Sequence, residues 1–383
     1  MDTEDSHFGK ERLNIPMLNL PRLQKKLEKP LLDALMEVYE SAKYINAEET
    51  SQFEQKLMDY SKKGYAIGVG SCTDALYIAL RAYGIGEGME VITIPNSFYA
   101  TTEAVLRCGA KPVMADIVHE TQLMDLSLLP ELINSRTKAI MPTHMYGNVV
   151  DVEKIHDILK NIGRTDIIIV EDCAHAFGSR LRGKLTPIGE CGAFSFNPGK
   201  NCGAFSDAGA VITSNKEVAG NSKLIRDHGR SSKNTHECVG LNSRLTAINN
   251  AVLSVKIQYI DEWNARRREI AEYYSRELKV VSQVETLVCS DEVESAYHQY
   301  VILAENREEL IAYLQKNGIS TGIHYPVLIP HQPVFKALVD GEEPSIPVAC
   351  SDIKRILSLP CYPELTDTEV KYIANKVKEF YKI

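Results

Sequence analysis

Residues 70–73 combine the groups that can hold a phosphate. The segment Gly70-Ser71-Cys72-Thr73 stands just before residues 75–80, where apolar side chains recur at helical spacing. The start of a helix presents unpaired backbone N–H groups and a positive dipole end, and the hydroxyls here add further donors for an anion. Taken alone, serine or threonine before a helix is more typical of an ordinary N-cap.

An aspartate and a lysine further along the chain add two more groups. Asp172 follows the apolar run 167–170, so its carboxylate needs a partner there. Lys200 comes after Pro198, which ends a strand, and lies in a loop flanked by glycines. A pyridoxal phosphate site needs phosphate donors, an anion beside the pyridine nitrogen and an amine for the aldehyde. The ordinary interpretation of the same residues is a capped strand and a solvated loop lysine.

Alternating strands and helices must position these groups. The patterns predict helices at 101–107 and 152–162 besides the one after Thr73, and strands at 66–70, 91–94, 112–117, 138–144, 166–170, 193–196 and 209–213. Residues 167–170 are apolar on both faces, as in a buried parallel strand. We therefore expect an α/β fold with a mostly parallel sheet of about seven strands and a ligand at the carboxyl ends of the strands.

The pattern of the sequence changes near residue 256. Long charged helical stretches at 257–278 and 307–317 are separated by short strands, which indicates a smaller α+β domain. The predicted division is an N-terminal extension at 1–14, a large ligand-binding domain at 15–255 and a small C-terminal domain at 256–383.

Composition excludes several classes of protein. The 383 residues are 44% apolar and carry a net charge of −8 without a long basic run, which argues against nucleic acid and anionic membranes as partners. No apolar stretch is long enough to span a membrane, and the acidic, polar start favours a cytoplasmic location. The nine cysteines form no C-x-x-C pair and the ten histidines are dispersed, so we expect no metal site.

Nine segments, spread over most of the chain, together resemble one family. They are GVGSCTDAL (68–76), IPNSFYATTEAV (94–105), HMYGN (144–148), VEDCAHAFG (170–178), FSFNPGKNCGAFSDAGAV (194–211), GLNSRL (240–245), DEWNARRR (261–268), GIHYP (322–326) and SLPCYPEL (358–365). The sequence resembles the DegT/DnrJ/EryC1/StrS family of sugar aminotransferases from about Ile15 to its end. The resemblance implies a pyridoxal 5'-phosphate enzyme with the aspartate aminotransferase fold (fold type I).

The resemblance also implies roles for residues around the cofactor. Lys200 matches the Schiff-base lysine, and Asp172 matches the partner of the pyridinium nitrogen. Thr73 and Ser195 match the phosphate-binding hydroxyls, with backbone N–H groups around Cys72 contributing.

Three further positions extend this implied site. Phe98 matches the aromatic residue that stacks on the ring, and His175 matches a residue near the ring oxygen. Asn242 matches an asparagine that reaches the phosphate of the neighbouring subunit. The resemblance therefore implies a homodimer with shared active sites.

The implied reaction is a ping-pong transamination through an internal aldimine on Lys200. The implied donor is L-glutamate, and the acceptor is a keto-sugar. The segments GLNSRL, DEWNARRR and GIHYP are most similar to members that aminate a 3-keto hexose on a nucleoside diphosphate. In that group, His324 and Tyr325 match residues near the sugar, although a turn that merely packs is the alternative for them.

Departures from the family pattern keep other acceptors open. Cys72 stands where glycine is usual, and Thr246 and Asn249 stand where aspartate and glutamine are common. A sugar phosphate or a keto-cyclitol is an alternative acceptor, and an aminoshikimate-type aromatase is an alternative activity. Lys200 disfavours the related sugar dehydratases, a class of lyase that carries histidine there, and together with Asp172 it disfavours a cofactor-binding regulator without turnover.

Overall fold

The computed structural model describes residues 14–45, 48–339 and 343–383. The predicted N-terminal extension, 1–14, lies outside the described residues except for Asn14. The α-helices are α1 Leu20–Lys26, α2 Glu28–Ser41, α3 Glu48–Ser61, α4 Cys72–Ala82, α5 Tyr99–Arg107, α6 Leu129–Leu132, α7 Val152–Asn161, α8 Lys216–Arg226, α9 Ala247–Lys256, α10 Ile260–Leu278, α11 Arg307–Lys316, α12 Pro333–Leu338, α13 Pro347–Asp352 and α14 Asp367–Phe380.

Fifteen strands form one large and three small sheets in the described part of the chain. The strands are β1 Tyr65–Val69, β2 Glu90–Thr93, β3 Lys111–Met114, β4 Thr137–Ile140, β5 Ile168–Asp172, β6 Arg180–Leu181, β7 Lys184–Leu185, β8 Cys191–Ser195, β9 Gly209–Thr213, β10 Arg230–Ser232, β11 Thr235–His236, β12 Val284–Thr286, β13 Val293–Glu294, β14 Tyr300–Ala304 and β15 Ile356–Leu359.

The large sheet has seven strands in the order β1-β9-β8-β5-β4-β2-β3. Strands β8, β5, β4, β2 and β3 pair in parallel, while β9 runs antiparallel to both of its neighbours. Helices α4 and α8 pack over this sheet through the apolar side chains that their sequences place on one face. The predicted α/β fold with a mostly parallel sheet of about seven strands is confirmed.

Two strands are shorter than their apolar runs predict. The strand expected at 138–144 ends at Ile140, and the one expected at 112–117 ends at Met114. Beyond Ile140 the chain turns along β5, where the Asp172 N–H donates to the Pro142 carbonyl and the His144 N–H donates to the Asp172 carbonyl. This pairing sets the backbone of Asp172 at the end of the sheet.

A second core lies in the C-terminal part of the chain. The antiparallel sheet β12-β14-β15 packs with α10, α11 and α14 around buried residues such as Tyr274 and Ile302. Ile15 is fully buried in this core, and its backbone pairs with Gly318 and Ser320. The first described residues therefore pack on the C-terminal region. The domain boundaries at 15 and 256 remain predictions.

Hydrogen bonds join the C-terminal region to the large sheet. Both carboxylate oxygens of Asp116, which follows β3, accept backbone N–H groups of Val348 and Ala349 at the start of α13. The Ile329 N–H donates to the carbonyl of Pro95, which follows β2. These contacts fix the C-terminal region against the segments that follow β2 and β3.

No helix in the described ranges is long and apolar enough to cross a membrane. The cytoplasmic location expected from the sequence remains a prediction.

Candidate active site

A cavity of about 450 Å³ lies at the carboxyl ends of the parallel strands. Large-sheet segments after β1, β2, β5 and β8 line one part of it, and residues 298–299 and 324–325 line another. This is the position at which open α/β sheets bind their ligands. The cavity contains these residues predicted from the sequence: Cys72, Thr73, Phe98, Asp172, His175, Ser195, Lys200, His324 and Tyr325.

The start of α4 forms one wall of the cavity. Cys72 and Thr73 are the first residues of this helix, and the Ser71 hydroxyl caps it by accepting the Asp74 N–H at 3.1 Å. Gly209 of β9 lets this turn approach the sheet, because a Cβ there would lie 2.5 Å from the Ser71 carbonyl carbon. The cavity therefore receives a helix N-terminus that suits an anion.

Ser195 stands next to this helix start. It is the last residue of β8, and its register partner on β9 is Gly209. Its side chain lines the cavity although the residue is buried. Ser195 thus adds a hydroxyl to the same wall as Thr73.

Asp172 ends β5 and is almost completely buried. One carboxylate oxygen accepts the Thr101 hydroxyl at 2.7 Å, and the other accepts the Ala174 N–H at 3.0 Å. Burial raises the pKa of Asp172, although both hydrogen bonds and the nearby Lys200 oppose this effect. Both of these hydrogen-bond partners are neutral donors, so the carboxylate can accept a cationic ligand.

Lys200 enters the cavity from a tight loop. Its backbone N–H donates to the Asn197 carbonyl at 2.8 Å, and Gly203 closes the loop at a point where a Cβ would lie 2.3 Å from the Pro198 carbonyl oxygen. Buried Lys256 secures the same loop by donating to the Gly203 carbonyl at 2.6 Å. Burial lowers the pKa of Lys200 to about 8, so its amine is partly uncharged near neutral pH.

Aromatic and imidazole rings line the wall near the C-terminal region. His175 is buried, its Nδ1 accepts the Tyr146 N–H at 3.3 Å, and its Nε2 lies 3.3 Å from the Tyr325 hydroxyl. The ring of Tyr325 lies 5.4 Å from that of Phe98, which is 56% exposed. Burial lowers the pKa of His175 well below its usual range, so this imidazole is neutral.

His324 is held through its side chain and its backbone. Its Nδ1 lies 2.8 Å from the Ser358 hydroxyl, and its carbonyl accepts the Tyr146 hydroxyl at 2.6 Å. Burial lowers the pKa of His324 to about 4. His324 and Tyr325 therefore present neutral hydrogen-bonding groups to the cavity.

Asn242 stands outside the cavity of its own chain. Its side-chain oxygen accepts Arg244 Nη2 at 2.7 Å, and the residue is exposed. The neighbouring Ser243 hydroxyl accepts the Gly70 N–H and donates to Asp74, which fixes the segment against the start of α4. Of the predicted site residues, Asn242 alone is not brought to the cavity.

The residues present fit pyridoxal phosphate. The α4 N-terminus with Thr73 and Ser195 suits the phosphate, and buried Asp172 suits a protonated ring nitrogen. The Lys200 amine has no hydrogen-bond partner among the described side chains and suits the aldehyde.

Comparison with known proteins identifies the family of this chain. The model of the DegT/DnrJ/EryC1/StrS aminotransferase family matches residues 25–378. The chain belongs to this family. The sugar aminotransferase class expected from the sequence is therefore confirmed.

Two relatives illustrate the range of names within the DegT/DnrJ/EryC1/StrS family. The chain is 38% identical to a "pleiotropic regulatory protein" of Geobacillus stearothermophilus, with 97% of this chain and 99% of the relative covered. It is 36% identical to the dTDP-3-amino-3,6-dideoxy-alpha-D-galactopyranose transaminase of Aneurinibacillus thermoaerophilus, with 96% and 99% covered.

Two solved structures are similar to this chain over nearly its whole length. An X-ray structure of S. venezuelae DesV in complex with a ketimine intermediate has a TM-score of 0.92 and 34% identity, covering 97% of this chain and 99% of that one. The structure of NtdA from Bacillus subtilis with bound cofactor PMP has a TM-score of 0.88 and 28% identity, covering 98% and 87%. The aspartate aminotransferase-like fold expected from the sequence is confirmed.

The cavity of this DegT/DnrJ/EryC1/StrS protein also contains residues that sequence reasoning missed. Thr101 holds the Asp172 carboxylate, and Ser97 extends this bond, its hydroxyl lying 2.7 Å from that of Thr101. His298 is 8% exposed and lines the cavity just before β14. The segment IPNSFYATTEAV (94–105) contains Ser97 and Thr101, but His298 lies in none of the nine segments that resemble the family.

One further group of titratable side chains lies behind Asp172. Metal-binding atoms of His144, Glu171 and Cys173 lie within 4.8 Å of one another. His144 Nδ1 accepts the Val150 N–H and its Nε2 bonds Glu171, whose oxygens also accept two backbone N–H groups at 188–189. The histidine and the glutamate thus have structural partners.

Proposed function

We propose that this chain is a pyridoxal phosphate-dependent aminotransferase that transfers the amino group of L-glutamate to a keto-sugar. The proposed acceptor is a 3-keto hexose on a nucleoside diphosphate. The observation that carries the proposal is that Lys200, Asp172 and the α4 N-terminus line one cavity. The name of the A. thermoaerophilus relative supports the class of acceptor.

The proposed phosphate site is the wall formed by α4 and β8. Backbone N–H groups around Cys72 and the hydroxyls of Thr73 and Ser195 would bind the phosphate and orient the cofactor. Phe98 would cover one face of the ring, where its flat surface excludes water. His175 would lie near the ring oxygen.

Asp172 and Lys200 would perform the chemistry. When bound, the cofactor supplies an electron sink that stabilises the negative charge left when an α-proton is removed. Asp172 would hold a proton on the ring nitrogen through a charge-assisted hydrogen bond. Lys200 Nζ would bind the cofactor covalently and then, when released by the amino donor, carry the proton from the α-carbon.

We further propose that the active form is a homodimer with shared active sites. Leu32, Met36 and Tyr39 lie on one face of α2 and are 58%, 55% and 72% exposed. Contiguous exposed apolar side chains of this kind mark an interaction surface. Burial of this face against a second copy would agree with a role for exposed Asn242 in the partner's site.

The first experiment is an absorbance spectrum of the cofactor-loaded protein before and after L-glutamate is added, with Lys200→Ala alongside. We expect glutamate to bleach the yellow form and dTDP-linked 3-keto-6-deoxygalactose to restore it. Lys200→Ala should bind cofactor but not respond. Normal turnover by Lys200→Ala would contradict the assignment of this lysine.

The other outcomes distinguish the alternatives. A yellow protein that ignores glutamate and other amino donors would favour a regulator or a lyase. A protein that reacts with glutamate but is restored only by a keto-cyclitol or a sugar phosphate would retain the transaminase and replace the acceptor. A protein that stays colourless with added cofactor would contradict the site.

A further inference from the structure

A chain of side-chain amides determines which nitrogen of His298 carries a proton. Asn264 Nδ2 donates to the Phe177 carbonyl at 2.9 Å, so Asn264 Oδ1 faces Asn201. Asn201 Nδ2 donates to that oxygen and to the Ala296 carbonyl, both at 2.8 Å. Asn201 Oδ1 therefore faces His298 Nδ1 at 3.0 Å, and only a protonated Nδ1 can make this hydrogen bond.

The same network leaves the other nitrogen of His298 without a proton. Burial lowers the pKa of His298 well below its usual range, so the ring is neutral and Nε2 carries a lone pair. The side-chain nitrogen of Gln299 lies 3.5 Å from this atom, at the limit of a hydrogen bond. A stronger donor in the cavity would replace that weak contact.

The neighbouring histidine has the opposite arrangement. His175 lies with its ring 4.6 Å from that of His298, and its Nδ1 accepts the Tyr146 N–H. Its proton is therefore on Nε2, where it faces the Tyr325 hydroxyl. The wall thus combines an imidazole donor with an imidazole acceptor at fixed positions.

The lone pair on His298 Nε2 can distinguish between the two substrates of the proposed reaction. A sugar hydroxyl can donate to it, whereas the carboxylates of glutamate have no proton to donate and the amino group of glutamate is required at the reacting centre beside Lys200. Buried polar groups that pair with a substrate hydroxyl reject ligands that leave those groups unpaired. His298 therefore has the chemistry to distinguish the acceptor from the donor within one cavity.

We propose that His298 Nε2 accepts a hydrogen bond from a ring hydroxyl of the sugar, which makes His298 a specificity-determining residue for the sugar half-reaction. Asn201 and Asn264 are then positioning residues that fix its tautomer. Because Asn201 directly follows Lys200 in the chain, the same network connects the sugar wall to the lysine loop. This inference rests on the proposed function.

Two substitutions test the two ring nitrogens of His298 separately. His298→Asn places an amide nitrogen near Nδ1, so it can keep the bond to Asn201 while losing the acceptor at Nε2. His298→Gln places an amide oxygen near Nε2 and loses the bond to Asn201. Each variant, loaded with cofactor, is mixed with L-glutamate and separately with dTDP-3-amino-3,6-dideoxy-α-D-galactopyranose, and the loss of yellow absorbance is timed.

We expect His298→Asn to lower kcat/KM for the amino sugar by about tenfold to a hundredfold, since a buried hydrogen bond to substrate is lost. The glutamate rate should fall far less than the amino-sugar rate, and His298→Gln should keep most of the sugar rate. The reverse pattern, with Gln impaired and Asn intact, would show a structural role and overturn the inference. A wild-type protein that reacts with glutamate but not with this amino sugar would overturn the proposed acceptor and the inference with it.

The tautomer itself can be measured without any turnover. Nitrogen NMR of histidine-labelled apoprotein should show His298 protonated at Nδ1 and His175 protonated at Nε2, with the His298 signals assigned from the Asn variant. Protonation of His298 at Nε2 would overturn the inference even if the transaminase activity is normal.

Discussion

The Lys200 amine must lose a proton before it can bind an aldehyde, and burial has already lowered its pKa to about 8. Cofactor uptake by the apoprotein should therefore accelerate as the pH rises towards 8, as the neutral amine becomes populated, and level off above it. Stopped-flow absorbance after mixing with pyridoxal phosphate measures this rate. A rate that continues to rise to about pH 10, as for an ordinary lysine, would contradict the lowered pKa.

Among the described residues that line the cavity, Asp172 supplies the only buried carboxylate. Asp172→Asn should retain cofactor but slow the glutamate half-reaction by at least about a hundredfold, because the ring nitrogen loses its anionic partner. Single-turnover absorbance measures this change. An undiminished rate would contradict the proposed role of Asp172.

Substitution of Thr101 tests its hydrogen bond to the Asp172 carboxylate separately. Thr101→Val removes the 2.7 Å hydrogen bond and leaves the Asp172 anion less stabilised, so its pKa should rise further and the half-reaction should slow by about tenfold. Thr101→Ser keeps the hydroxyl and is the matched control. Equal losses in both variants would assign the effect to packing.

At the scale of elements, His119 joins three segments of the chain. It follows β3, and its ring nitrogens lie 2.9 Å from Glu285 of β12 and 2.9 Å from Asp352 of α13. Glu285 also pairs with Arg355, and Asp352 also accepts Gln122. The hydrogen bonds to Glu285 and Asp352 raise the pKa of His119, so the protonated ring is bound more strongly in the folded state than in the unfolded one.

This pairing predicts a pH-dependent contribution to stability. A raised pKa means that the stabilisation is fully present below the unfolded value of about 6.5 and is lost as the pH rises through the higher folded value. His119→Gln should therefore lower the urea midpoint more at pH 5.5 than at pH 9. The exposed His156 on α7, replaced by Gln, is the control for the histidine-to-glutamine change itself. Equal losses for His119→Gln at both pH values would contradict this pairing.

At the scale of the whole molecule, shared active sites can be tested by mixing two inactive subunits. A subunit with Lys200→Ala supplies an intact Asn242, and a subunit with Asn242→Asp supplies an intact Lys200. In a mixed dimer, one of the two sites would combine both intact residues, so an equal mixture should recover about a quarter of the wild-type activity. No recovery after subunit exchange would contradict a shared site.

The exposed face of α2 provides a second test of the dimer. Met36→Glu places a charge in the proposed apolar interface and should raise the dimer Kd by at least about tenfold, measured by sedimentation. Val280→Glu, at a residue that is similarly exposed after α10, is the matched control. An unchanged sedimentation profile for Met36→Glu would place the interface elsewhere.

The local pattern of apolar residues was sufficient to predict the strands of the large sheet. Runs such as 167–170 and 209–213 are strands because their apolar side chains can be buried on both faces, and this is written in neighbouring residues. Strand ends were less accurate: the apolar run after Ile140 leaves the regular strand, and its backbone at Thr143 forms only an isolated bridge with Asp172 at the end of β5. Such pairing depends on residues distant in sequence.

By itself, the sequence determined which residues can perform the chemistry, namely Lys200, Asp172 and the hydroxyls at the start of α4. The resemblance to the family assigned a role to each of them. Only the tertiary structure decided that Thr101 holds the carboxylate, that Asn242 stands outside its own cavity and that His298 lines it with Nδ1 bound to Asn201. The physical reason is that hydrogen-bond direction and burial depend on groups that the fold brings together. The tautomer of His298 depends on the carbonyls of Phe177 and Ala296, which are distant from each other in the chain.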